Sequence, residues 1–92
     1  LPSFVRDFTN RNVDEQVVLQ EKLAKISGIL NQNHGDTTPL KAHPGLQYEN
    51  YTQHKGLAHF RTSRGMRISC SAGKHGLTLR RYGREPEVNA NP

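Results

Sequence analysis

Histidine and arginine alternate in the second half of the chain in a pattern that could act on a phosphodiester. His59 and Arg61 are two residues apart in one strand-like segment, and Arg67 lies near the start of the next. A histidine titrates near neutral pH and can take or give a proton, and an arginine can hold a phosphate through two parallel hydrogen bonds. Attack of a ribose 2′-hydroxyl on the adjacent phosphate needs both kinds of group. These residues therefore include the groups needed to cleave RNA without a metal or other cofactor, but a plain nucleic-acid-binding module commonly carries a similar set.

The distribution of charge points to a polyanionic partner. Residues 1–54 hold five basic and six acidic side chains, a net charge of −1, whereas residues 55–92 hold eight basic and two acidic ones, a net charge of +6. A basic half of this kind is typical of nucleic-acid binding. The alternative is a surface that is basic only for solubility.

The composition excludes several other classes of protein. A chain of 92 residues is expected to form one domain. No apolar run approaches the roughly 18 residues of a membrane span. The first residues also lack the apolar stretch that is typical of a signal peptide. We therefore expect a cytoplasmic protein without a membrane partner. The one cysteine, Cys70, excludes an internal disulfide and a cysteine-based zinc cluster, and it is expected to pack in the core.

The first half of the chain predicts one clear helix. Apolar residues at Leu19, Leu23, Ile26 and Leu30 follow helical spacing within residues 13–30. Residues 3–8 could form a strand or the start of a helix. Residues 32–56 are polar and predict a long loop, with a short helical turn or a strand near residues 47–52.

The second half predicts three strands, residues 56–63, 66–72 and 77–82. The short turns at 64–65 and 73–76 between them indicate an antiparallel meander. The expected fold is α+β, with one or two helices on an antiparallel sheet of three to five strands. We expect a single domain over residues 1–84 and a flexible polar tail over residues 85–92.

Alternation along the strands separates their side chains into two faces. Met66, Ile68 and Cys70 are expected to face the helix. The opposite, open face would carry four basic side chains, namely His59, Arg61, Arg67 and Arg80. Three further residues would lie at its rim, namely Arg81, Tyr82 and Arg84.

Three short motifs give the chain a resemblance to a known family. They are LKAHPG at residues 40–45, RTSRGMRI at residues 61–68 and LRRYGRE at residues 79–85. Together with the order of elements, they resemble the RelE/ParE-like superfamily of bacterial toxins, nearest to its HigB, YafQ and RelE branches. The resemblance implies a RelE-like microbial ribonuclease fold.

The resemblance also implies a function and a set of site residues. The ribonuclease branches cleave mRNA, often on the ribosome, and a cognate antitoxin protein neutralises each toxin. The implied catalytic residues are His59, Arg61, Arg67 and Arg84. The side chains expected to contact RNA are His43, Lys55, Arg64, Arg80, Arg81 and Tyr82.

Two departures from the family pattern concern aromatic side chains. Met66 stands where the family has an aromatic residue, and no aromatic follows Arg84. Tyr82 or Tyr51 is the alternative platform for stacking on a base. The other function classes are a ParE-type toxin that inhibits DNA gyrase and a basic nucleic-acid-binding module.

Overall fold

Four helices and a four-stranded sheet make up the described part of the chain in the computed structural model, which describes residues 3–73 and 76–92. The helices are α1 (Ser3–Thr9), α2 (Val13–Gln32), α3 (Thr38–Lys41) and α4 (Glu85–Ala90). The strands are β1 (Glu49–Asn50), β2 (Leu57–Ser63), β3 (Met66–Gly73) and β4 (Gly76–Arg84). They form one antiparallel sheet in the order β1-β2-β3-β4. The predicted α+β class is confirmed, and the predicted turn at Lys74 and His75 lies outside the described residues.

Helix α2 forms where the apolar spacing predicts it. The Asn12 side chain accepts a hydrogen bond from the Glu15 backbone N–H at 2.9 Å, which satisfies one of the free donors of the first turn. Leu19 and Ile26 are buried against the sheet. Within the described ranges, no helix is both long and apolar enough to cross a lipid bilayer.

One face of the sheet forms the core together with α2 and the α3–β1 loop. Phe60, Ile68 and Cys70 are fully buried there, which confirms the predicted inward face of β2 and β3. Burial raises the pKa of the Cys70 thiol to about 12. Cys70 is therefore a packing residue and not a nucleophile.

A bulge in β4 changes which side chains of that strand face the core. Arg81 pairs with Ser69 and Leu79 pairs with Cys70, so that Arg80 is an extra residue. Leu79 and Tyr82 consequently both face inward, and Tyr82 is only 2% exposed. The prediction that Tyr82 lies at the rim and contacts RNA is therefore wrong, because its ring is part of the core.

The segment after Arg84 is a helix, where the sequence predicts a flexible tail. Glu85 and Glu87 lie in the first turn of α4, where negative charge is favourable, and Pro86 is at a first-turn position that tolerates proline. Val88 is buried. It packs over Gly83, where an added Cβ would lie 3.7 Å from the Val88 Cγ2. Packing on the sheet thus holds this polar segment in place.

Asp7 joins α1 to β4. The sequence is compatible with a strand or a helix in this segment, and the structure has a helix. The Asp7 Oδ2 accepts hydrogen bonds from the Arg81 Nε at 2.8 Å and from the Tyr82 backbone N–H at 3.0 Å. Partial burial alone would raise the pKa of Asp7, but these two bonds and the charges of Arg81 and Arg6 hold that pKa below its usual value. Arg81, predicted to contact RNA, is therefore engaged in the fold.

We expect Asp7→Ala to lower the free energy of unfolding at pH 7 by about 2 kcal/mol, because two hydrogen bonds to a charged acceptor are lost. The folded-state pKa of Asp7 is depressed, so its contribution is present above the unfolded pKa and disappears as the pH falls through the folded one. Urea unfolding at pH 7 and at about pH 2.5 measures this difference. Glu21→Ala, an exposed position on α2, is the control and should stay within about 0.5 kcal/mol. Equal stability of Asp7→Ala and wild type at pH 7 would contradict the assignment.

Candidate functional site

His59 lies in the middle of a row of side chains that crosses the outward face of the sheet, the face opposite the core. Register places it opposite Glu49 of β1 and opposite Ser69 of β3. Residues directly opposite each other in an antiparallel pair present neighbouring side chains on the same face. The predicted alternation of β2 and β3 is therefore confirmed at His59, but the prediction that this face is open is wrong there, because His59 and Ser69 are buried.

The neighbouring row carries the two arginines. Arg61 and Arg67 are direct partners across β2 and β3, and Arg67 is opposite Gly83 on β4. Two like charges directly opposite are unfavourable unless an anion lies near them. The fold thus places His59, Arg61 and Arg67 on one face. A negatively charged group next to the two arginines would stabilise this arrangement.

The ring of His59 is almost entirely covered. The residue is 8% exposed, and its ring centroid lies 4.5 Å from that of Tyr51. In the described part of the structure, the buried His59 Nδ1 has no hydrogen-bond partner. Buried polar atoms normally have one, so this nitrogen is an unsatisfied polar atom that a ligand can reach only if the side chains covering the ring move.

The environment of His59 favours its neutral form. Burial lowers the pKa of His59, and the positive charge of Arg67 lowers it further, while Glu49 and Glu85 act in the opposite direction. A neutral imidazole can accept a proton at neutral pH. His59 is therefore suited to act as a general base.

Arg67 is held by helix α4. Its Nη1 donates to the Asn89 Oδ1 at 2.9 Å, and its Nη2 donates to the Glu85 Oε1 at 3.0 Å. The Asn89 Oδ1 also accepts from the Tyr51 hydroxyl at 2.9 Å. Burial raises the pKa of the Tyr51 phenol although Arg67 opposes this, so Tyr51 is a hydrogen-bond donor and not a base.

The side chain of Arg61 is the other cation of the row. Its backbone N–H donates to the Leu46 carbonyl at 2.6 Å, which holds the α3–β1 loop against β2. Across the described ranges, no hydrogen bond or ion pair engages its guanidinium. Arg61 can therefore contact a ligand without first giving up a protein partner.

A pocket opens beside His59 and Arg67. Its walls come from the chain around β1, from the centre of the sheet and from α4. It is lined by Glu49, Asn50, Tyr51, Thr52, Gln53, His54, His59, Arg67 and Asn89. The amino-acid pattern predicts a role for three of these residues, namely His59, Arg67 and, as an alternative stacking platform, Tyr51.

The other predicted catalytic residue, Arg84, is placed differently. Register pairs it with Met66, whose side chain belongs to the core side of the sheet. Arg84 is exposed and is the residue that precedes α4. The structure therefore places His59, Arg61 and Arg67 on one face of the sheet, with Arg61 outside the pocket beside His59, and it places Arg84 on the other face.

The remaining predicted RNA contacts are spread over the surface. Arg80 donates from its Nε to the Pro92 carbonyl at 3.2 Å, while Lys55 and Arg64 are exposed at turns. His43 is half-buried in the α3–β1 loop, with its ring next to Gly45. None of these four residues lines the pocket beside His59. Among the described residues, no group of three His, Cys, Asp or Glu side chains has a metal-site arrangement.

Comparison of the chain with protein-family models, with curated proteins and with solved structures found no match. The comparisons assign no family. The resemblance to the RelE/ParE-like toxins therefore stays a hypothesis carried by the three motifs.

Proposed function

We propose that this protein is a metal-independent endoribonuclease that cleaves mRNA on the ribosome, the toxin of a toxin–antitoxin pair. The observation that carries the proposal is the position of the nearly buried His59 on the same face as Arg61 and Arg67, and the lowering of its pKa by burial and by Arg67 agrees with it. The motifs of the sequence and the +6 charge of residues 55–92 support it.

In the proposed reaction, each residue of this face has one task. The scissile phosphate lies between Arg61 and Arg67, whose charges stabilise the oxygens on phosphorus. His59 removes the proton of the ribose 2′-hydroxyl. The 2′-oxygen then bonds to phosphorus while the bond to the 5′-oxygen breaks and that oxygen takes a proton from water. The protonated His59 returns its proton to the hydroxide that is left, which regenerates the neutral imidazole. The products are a 2′,3′-cyclic phosphate and a free 5′-hydroxyl.

Tyr51 is the aromatic side chain best placed to hold a base next to this phosphate. Its ring forms one wall of the pocket and contacts both His59 and His54. Bases bound by proteins in single-stranded RNA commonly stack on aromatic side chains. Tyr51 thus takes the role for which Tyr82, buried in the core, is unsuitable.

Inducible expression in a bacterium tests the proposed function. We expect rapid growth arrest together with new 5′ ends within coding regions, mapped by primer extension. Growth arrest with intact transcripts would contradict the proposal and favour inhibition of DNA gyrase. Normal growth with salt-dependent RNA binding would contradict it and favour a binding module.

A further inference from the structure

Helix α4 occupies the groups of Arg67 that a phosphate would use. Glu85 and Asn89 are one helical turn apart, and each gives one oxygen to a different terminal nitrogen of Arg67. A phosphate presents two oxygens to a guanidinium in the same forked manner. The side chains of α4 and a substrate phosphate are therefore alternative ligands of Arg67.

The segment that carries these two oxygens is fixed across the outward face. Val88, between them in sequence, is 1% exposed. Beyond the helix, the Pro92 carbonyl accepts from the Ser69 hydroxyl at 3.1 Å, and Ser69 is the neighbour of His59 in its row. The segment thus lies over the strands that carry the proposed catalytic residues.

The bond between Glu85 and Arg67 is nevertheless easy to exchange. The Glu85 side chain is 50% exposed and the Arg67 side chain 15% exposed, and water at the carboxylate limits the net stability that this ion pair contributes. Helix α4 has only six residues, too few to be stable without its packing. A phosphate can therefore displace the carboxylate at a small free-energy cost.

We infer that α4 is an internal competitor of the substrate, with Glu85 standing in for phosphate at Arg67 until RNA binds. The inference rests on the proposed function, since RNA is the ligand it names. Glu85 offsets the charge of Arg67 in the free protein, and the phosphate takes its place in the complex. Binding of RNA then requires Glu85 and Asn89 to release Arg67.

Glu85→Gln in the full chain tests this inference, with binding of an RNA oligonucleotide made resistant to cleavage by 2′-O-methyl groups as the readout. We expect the variant to bind about three- to tenfold more tightly, because its neutral amide competes less well than a carboxylate. Glu87→Gln is the matched control. It makes the same change of charge on the same exposed turn, and we expect less than a twofold effect.

A double-variant cycle separates release of Arg67 from a general effect of charge. In an Arg67→Ala background, Glu85→Gln should no longer tighten binding. Equal tightening by Glu85→Gln and Glu87→Gln, persistent tightening in the Arg67→Ala background, or weaker binding by Glu85→Gln would each overturn the inference. If wild type and both glutamine variants bind RNA with the same affinity, the inference is overturned but the proposed function is not. If neither wild type nor any variant binds RNA, the proposed function is overturned as well.

Discussion

Replacing Arg67 with alanine is expected to lower the rate of mRNA cleavage by about 100- to 1,000-fold and to abolish growth arrest on expression. Arg67 lies opposite Arg61 and one row from His59, so its guanidinium is the group best placed to stabilise charge on the phosphate. The rate of appearance of the mapped 5′ ends measures the effect.

Two further substitutions separate the role of Arg67 from loss of fold or of charge. Arg67→Lys keeps the positive charge but cannot donate two parallel hydrogen bonds to one phosphate, so it should retain only part of the activity. Arg6→Ala removes one positive charge from the exposed side of α1 and should cleave like wild type. Because the register places Arg84 opposite Met66, Arg84→Ala should have a smaller effect than Arg67→Ala. Toxicity of a folded Arg67→Ala at the wild-type level would contradict the assignment.

Replacing His59 with glutamine is expected to lower kcat/KM by about 100- to 10,000-fold, the usual contribution of a general base. The pH dependence identifies the base more directly than the rate does. Burial and the charge of Arg67 lower the pKa of His59, so its neutral form persists below the ordinary histidine pKa of about 6.5. The kcat/KM of wild type should therefore rise with pH to a plateau, with a midpoint below about 6.5.

The controls for His59 use the same pH profile. Glu85 raises the pKa of His59 by its charge, so Glu85→Gln should move the midpoint to a still lower pH. His34→Asn changes an exposed histidine in a left-handed conformation that asparagine tolerates, and it should leave the midpoint unchanged. A midpoint above about 6.5 would exclude His59 as the base. A fall of kcat/KM at low pH that persists in His59→Gln would exclude it as well.

Much of the fold could be predicted because its elements follow simple periods. Helix α2 has a regular apolar stripe, and strands β2 and β3 alternate, so the amino-acid pattern alone indicates the shared face of His59, Arg61 and Arg67. The bulge at Arg80 has no such signal, since it depends on how β4 pairs with β3. This bulge places Tyr82 in the core and not at the rim.

The parts of the site that were missed depend on contacts between distant segments. Helix α4 has a single buried apolar residue, Val88, and its sequence predicts only a polar tail. Its position follows from the space over Gly83 and from the bonds of Glu85 and Asn89 to Arg67. The role of Asn89 could not be predicted, because its partners Tyr51 and Arg67 are 38 and 22 residues away in the chain.

The most direct test of the central claim is cleavage of a defined mRNA on bacterial ribosomes, with one nucleotide altered. The cut site is first mapped, and the 2′-hydroxyl on the 5′ side of the scissile phosphate is then replaced by 2′-O-methyl. Attack by that hydroxyl predicts a 2′,3′-cyclic phosphate and a 5′-hydroxyl from the natural mRNA, and loss of the cut from the methylated one. Cleavage that persists in the methylated mRNA, or that leaves a 5′-phosphate, would contradict the mechanism.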